Sequence, residues 1–65
     1  MTLAQKIKGL REEKKISRAE LQRRTRLTYM TIWRLETGAE KNPTIDTLQR
    51  LAKALEVHVC DLIDN

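Results

Sequence analysis

The 65-residue chain has one cysteine, one histidine, one proline, two glycines and no phenylalanine. These scarcities each remove a class of protein. The lone Cys60 cannot close an internal disulfide, which excludes a disulfide-stapled secreted domain and sets the expectation of a reduced, cytoplasmic context. His58 and Cys60, separated by a single residue, do not amount to a metal-ligand set. No glycine-rich phosphate loop and no Ser-His-Asp constellation can be assembled, so no catalytic residue is nominated and no cofactor is expected. No apolar run approaches the roughly 20 residues that a bilayer span needs. The opening MTLAQKIKGL lacks the apolar block of a secretion signal. Strand signals are missing as well: there is no sustained apolar–polar alternation and no hairpin turn pair. A chain this short buries only about 60% of its unfolded surface, which leaves little room for a deep catalytic pocket.

What the chain does have is charge, unevenly placed. The net charge is +4, yet residues 1–41 carry eleven Lys/Arg against five Asp/Glu, whereas residues 42–65 carry two against four. The first part is therefore +6 and the second −2. A polyanionic partner would face the first part; the plainer alternative is a solvated surface.

Helix signals recur along the whole chain. Thr2 and Gln5 form a capping box ahead of an apolar stripe of Leu3, Ile7 and Leu10, and the polar run Arg11 to Lys15 closes that first helix. Ser17 caps a second helix with Glu20 at the matching box position, and Ile16 and Leu21 supply a hydrophobic staple. This helix runs only to about Thr25, too short to stand alone, so it must dock on its neighbours. Thr28 caps a third helix that Gly38 ends. At 3.6 residues per turn, Met30, Trp33, Arg34 and Thr37 fall opposite Ile32 and Leu35. Glu36 falls nearer the inner side and would want a cationic partner. Thr44 caps a fourth helix with Ile45, Leu48, Leu51, Ala52 and Leu55 as its apolar face, and His58 caps a last short helix from Val59 to about Ile63. The expected fold is therefore all-α, five short helices in one domain spanning residues 1–65, with no internal repeat. Two of these helices, joined by a three-residue turn over 18–37, have the helix-turn-helix arrangement, and the helix over 29–37 would enter a DNA major groove, which is about 12 Å wide.

Residues 3–63 resemble the phage-repressor and Cro type of helix-turn-helix regulator, the XRE-like family. The resemblance rests on Leu-Arg-Glu-Glu-Lys (10–14), Ile-Ser (16–17), Glu-Leu (20–21), Leu-Thr (27–28), Ile32, Leu-Glu (35–36), Gly38, Asn-Pro-Thr (42–44) and Leu-Ala-Lys-Ala-Leu-Glu-Val (51–57), in that order and at those spacings. It implies a lambda-repressor-like domain with base contacts from Tyr29, Met30 and Arg34. It also implies DNA-backbone contacts from Ser17, Arg18, Thr28, Thr31, Thr37, Lys41 and Asn42, and an internal salt bridge between Arg11 and Glu36. Val57, Val59 and Leu62 fall where family members form a dimer; the alternative for these apolar residues is plain core. Four positions depart from the family pattern: Arg26 replaces the usual left-handed turn glycine, Gln22 a small residue, Thr25 an apolar one and Glu56 a helix-ending glycine. The expectation at Arg26 is a positive φ, at a cost of roughly 1 kcal/mol or more.

Within that frame Arg34 is suited to guanine O6 and N7, or else to a phosphate or a carboxylate, and Tyr29 and Met30 to thymine methyls and sugars, or else to packing on the second helix. Trp33 stays open between packing beside the second helix, lying along the sugar-phosphate wall and touching a protein. Arg23, Arg24 and Arg26 form either a solvated helix end or a source of long-range attraction to DNA. The expected function is a sequence-specific double-stranded DNA-binding transcriptional regulator, a repressor or Cro-like switch. It would bind a palindromic operator as a weak homodimer that forms on DNA, with no membrane association and no small-molecule effector evident. The rival is a protein-interaction module, an antitoxin or antirepressor partner, that uses the aromatic face of the third helix.

Overall fold

The computed structural model describes residues 2–63. The chain folds as α1 (Leu3–Glu13), α2 (Arg18–Thr25), α3 (Tyr29–Thr37) and α4 (Ile45–Leu55), followed by a 3₁₀ turn over Val59–Asp61. Among the described residues there is no strand. The all-α expectation holds, with one difference: the fifth element is a single 3₁₀ turn, not a helix reaching Ile63. The expected domain limits at residues 1 and 65 lie outside the described residues.

Each α-helix starts on a hydroxyl cap. Thr2 Oγ1 accepts the Gln5 N–H at 3.2 Å and Gln5 Oε1 accepts the Thr2 N–H at 3.0 Å, a complete capping box. Ser17 Oγ accepts the Glu20 N–H at 3.0 Å, but the box stops halfway, because the Glu20 carboxylate pairs forward with Arg23 and Arg24. Thr28 and Thr44 cap α3 and α4 through the N–H groups of Thr31 and Thr47, both at 3.1 Å. The 3₁₀ turn is secured differently from the expectation. Asp61 Oδ2 accepts the His58 N–H at 3.1 Å and the His58 carbonyl accepts the Asp61 N–H, so the imidazole is not the cap.

The helix ends show what two glycines cannot supply. Gly38 ends α3 in the left-handed region, φ 85°, which glycine adopts freely. The other three ends turn on charged residues in the same region: Lys15 (φ 58°) after α1, Arg26 (φ 61°) after α2 and Glu56 (φ 57°) after α4. Arg26 thus has the expected positive φ. The remaining glycine, Gly9, lies exposed in mid-α1, and a Cβ there would meet only open space.

The core draws on every element: Ile7, Ile16, Leu21, Ile32, Leu35, Leu51, Ala52, Ala54, Leu55 and Leu62 are buried. α3 packs on α1 and α2, while α4 packs on α2, α1 and the 3₁₀ turn. α2 therefore lies between α3 and α4. Two expectations fail in this packing. Ile45, placed on the apolar face of α4, is 72% exposed, because it precedes the turn at which α4 first meets the core through Leu48. Leu62, nominated for the dimer contact, is fully buried as the residue by which the 3₁₀ turn closes the core, and a side chain with no surface left cannot meet a second copy. Val57 and Val59 are half-buried and pack against the same core.

Candidate nucleic-acid interface

The turn between α2 and α3 is Arg26, Leu27 and Thr28. Its tightness comes from two features. Arg26 in the left-handed region donates its N–H to the Gln22 carbonyl at 2.8 Å. Thr25, 2% exposed, donates its hydroxyl to the Leu21 carbonyl at 2.8 Å and accepts the Leu27 N–H at 3.3 Å. The hydroxyl thus ties the end of α2 to the turn, and burial leaves it satisfied, as a buried polar group must be. Half-buried Gln22 does not keep α2 from packing on α3.

α3 has two unlike sides. Ile32, Leu35 and Glu36 are buried. Met30 (58% exposed), Tyr29 (48%) and Trp33 (44%) stand outward with Arg34 and Thr37. The outer side thus joins an aromatic and aliphatic strip to a cation that has no ion-pair partner among the described residues. That cation is Arg34. Trp33 keeps nearly half of its surface open and is no core residue.

The inner side is fixed by charge. The Glu36 carboxylate is fully buried and accepts three bonds. Two come from Arg11, Nε to Oε2 at 2.6 Å and Nη2 to Oε1 at 3.0 Å, and the third from Arg18 Nε to Oε1 at 3.0 Å. Arg11 also donates through Nη1 to the Ile16 carbonyl at 2.9 Å. One carboxylate on α3 therefore joins α1, the α1–α2 loop and the start of α2. Such charge-assisted, two-pronged bonds are shorter and stronger than neutral ones. The Glu36 carboxylate, and after it the Tyr29 phenol, holds the Arg18 guanidinium above its ordinary pKa.

The residues expected to touch a DNA backbone occupy three places. Ser17 and Arg18 stand at the start of α2. Thr28 and half-buried Thr31 lie at the start of α3, their hydroxyls 2.9 Å apart. Thr37 ends α3 with its hydroxyl donated weakly to the Arg34 carbonyl at 3.4 Å, and Lys41 and Asn42 are exposed in the following loop, where Asn42 N–H donates to Glu40 Oε1 at 3.1 Å. The structure links the start of α2 to α3 through Arg18, whose Nε donates to Glu36 Oε1.

Sequence reasoning missed the contacts of four residues. The Arg18–Glu36 bond had no signal, since Glu36 already had Arg11 as its assigned partner. Thr25 departs from the apolar residue usual at its position, and its hydroxyl is a tie that the departure alone does not reveal. Arg50 went unnoticed: its Nε donates to Asp46 at 2.9 Å and its Nη1 to the Thr25 carbonyl at 3.3 Å. Arg24 mirrors it, with Nε on Glu20 at 2.9 Å and Nη1 on the Ala54 carbonyl at 3.3 Å. These two arginines cross between α2 and α4 in opposite directions, and i,i+4 spacing to an acid on the same helix was the available clue.

A helix-turn-helix family model matches residues 7–62. No curated protein matches the chain. Among solved structures, the crystal structure of SinR, a master regulator for biofilm formation, in complex with DNA is 30% identical, with a TM-score of 0.92 over 97% of this chain and 100% of that one. The N-terminal DNA-binding domain of SinR from Bacillus subtilis is also 30% identical, with a TM-score of 0.90 over 97% of this chain and 91% of that one.

Proposed function

The chain belongs to the helix-turn-helix family, in its XRE-like branch, and from that premise we propose that it is a sequence-specific double-stranded DNA-binding transcriptional regulator without enzymatic activity, working in the cytoplasm as a repressor or Cro-like switch. The reading treats residues 1–65 as one domain with its helix-turn-helix over 18–37. The observation that carries it is the outer side of α3, where Arg34, Tyr29 and Met30 stand exposed on a helix whose opposite side is fixed by Ile32, Leu35 and Glu36. A rigidly backed helix with free polar and apolar groups is what major-groove readout requires. The likeness to a SinR–DNA complex supports the same reading.

In this proposal Arg34 supplies polar base contact, and Tyr29 and Met30 meet thymine methyls and sugars. Ser17, Arg18, Thr28, Thr31, Thr37, Lys41 and Asn42 hold the backbone. So small a domain gains affinity by pairing on half-sites about one helical turn apart, ~34 Å. Val57 and Val59 are the candidate dimer contact, and the partly covered state of both valines favours a weak dimer formed on DNA. A second reading, an antitoxin- or antirepressor-like protein contact through Tyr29, Met30 and Trp33, is favoured by the exposure of all three.

Selection of bound duplexes from a random DNA pool separates the two readings. The expected result is an enriched palindrome whose binding weakens steeply with salt, as bound Lys and Arg release counterions. A pool from which nothing is enriched would turn the reading toward a protein partner.

A further inference from the structure

The ends of α2 and α4 meet in an open cleft of about 580 Å³, to which α3 contributes no lining residue. Four cations, Arg24, Arg26, Arg50 and Lys53, line it, with Glu56 as the one acid. The fold uses two of the four. Arg24 and Arg50 donate through Nη1 to the Ala54 and Thr25 carbonyls, in the last turns of α4 and α2, and through Nε to an acid on their own helix. Cations suit helix C-termini, and these two already fill that role. Arg26 and Lys53 are exposed, and neither side chain has a hydrogen-bond or ion-pair partner among the described residues. Arg26 also stands at a cost, because its φ of 61° is one that glycine adopts freely and an L side chain does not. Its guanidinium contributes nothing to the turn that carries it.

We propose that this cleft is a docking site for a short acidic segment of a partner protein, with Arg26 and Lys53 as its carboxylate-binding cations. The Nη2 atoms of Arg24 and Arg50 are the fixed donors beside them. An arginine with Nε and Nη1 engaged still has Nη2 to give, in a plane that those bonds already set. Such a site is complementary in charge to carboxylates. Its form selects a discrete segment over a nucleic-acid strand. The four cations share one compact cleft and do not trace a backbone track, and Glu56 among them repels a phosphate chain that runs on past it. The site is also separate from the proposed DNA contacts. Those stand at the start of α2, along α3 and in the loop after it, and none of them lines the cleft.

The test titrates a fluorescein-labelled peptide of alternating Glu and Asp with the free protein at low salt, followed by anisotropy, beside an all-Gln peptide of equal length. Arg26→Gly removes one cleft cation and relieves the turn. Lys15→Gly is its match, since Lys15 is exposed at the end of α1, has a φ of 58° and lines no part of the cleft. The wild-type protein is expected to bind the acidic peptide and not the Gln peptide. Arg26→Gly and Lys53→Gln should each weaken that binding by about tenfold, the scale of one hydrogen bond to a charged group. Lys15→Gly should weaken it by about twofold or less, as a screened charge at a distance does. Arg26→Gly should melt higher than the wild type, so unfolding cannot account for its loss of the peptide. Equal weakening in Arg26→Gly and Lys15→Gly marks diffuse attraction and overturns the inference, as does a wild-type protein that does not distinguish the two peptides. A scrambled duplex that loses more affinity in Arg26→Gly than in Lys15→Gly assigns the cleft to phosphates and overturns it too. None of these results depends on the enrichment of a palindrome, so the DNA-binding reading stands or falls separately.

Discussion

Two glutamates in this molecule each hold two arginines, and they teach different things. Glu36 is buried between Arg11 and Arg18 and joins three parts of the fold. Glu20 lies on the surface of α2 with Arg23 and Arg24, three and four residues further along the same helix. The chemistry is the same in both, and the surroundings decide its worth. Around Glu36 water is excluded, so each bond is strong and loss of one partner strands a buried charge. Around Glu20 water and salt screen the pair, and such exposed pairs contribute little.

The largest effect is expected from Glu36→Ala, which strands Arg11 in the interior. A loss of about 3–5 kcal/mol is expected, enough to unfold much of a domain this small, and urea titration followed by circular dichroism measures it. Arg11→Ala should cost less, about 2–3 kcal/mol, because Arg18 remains on Glu36. Equal losses in the two variants would show that Arg18 does not compensate. Arg34→Ala removes a cation that has no carboxylate partner among the described residues. Its unfolding midpoint should barely move, while binding to the selected duplex should weaken by about 1–3 kcal/mol in a titration. The smallest of these effects belongs to Glu20→Gln. Hydrogen bonds from Arg23, then Arg24, hold the Glu20 carboxyl below its ordinary value of 4.5. Its contribution is therefore complete above that pH and fades as pH falls through the lower folded value. Glu20→Gln should lower stability slightly at neutral pH and leave it unchanged once pH falls below the folded value, so that the acid limb of a stability–pH curve becomes slightly flatter.

The comparison also separates what could be read from the chain. The Glu20 cluster is local, within four residues, and helix starts are local too: Thr2, Ser17, Thr28 and Thr44 each cap within three residues. Such features are visible in a sequence because the partners are neighbours. The outward side of α3 was legible for a related reason, since helical period alone sets Met30, Trp33, Arg34 and Thr37 opposite Ile32 and Leu35. The Arg18–Glu36 bond joins residues 18 apart and depends on how α2 docks on α3. No periodicity carries that. Leu62 failed on a different ground: an apolar residue near a chain end looks the same in sequence whether it closes the core or meets a partner. The half-formed box at Ser17 shows competition between two legible signals, a backbone N–H and two arginines, for one carboxylate.

The left-handed ends at Lys15, Arg26 and Glu56, set against Gly9 in the middle of α1, mean that one of this chain's two glycines stands where its own fold has no use for it. Moving glycine to the left-handed ends is a route to a hardier domain: Gly9→Ala inside the helix, and Lys15→Gly, Arg26→Gly or Glu56→Gly, should each raise the melting temperature by the equivalent of about 1 kcal/mol. None of the four positions is an outward residue of α3. At Gly9 and Glu56, where no cation is removed, heat tolerance and recognition are therefore separable properties, tunable at different addresses along the same short chain.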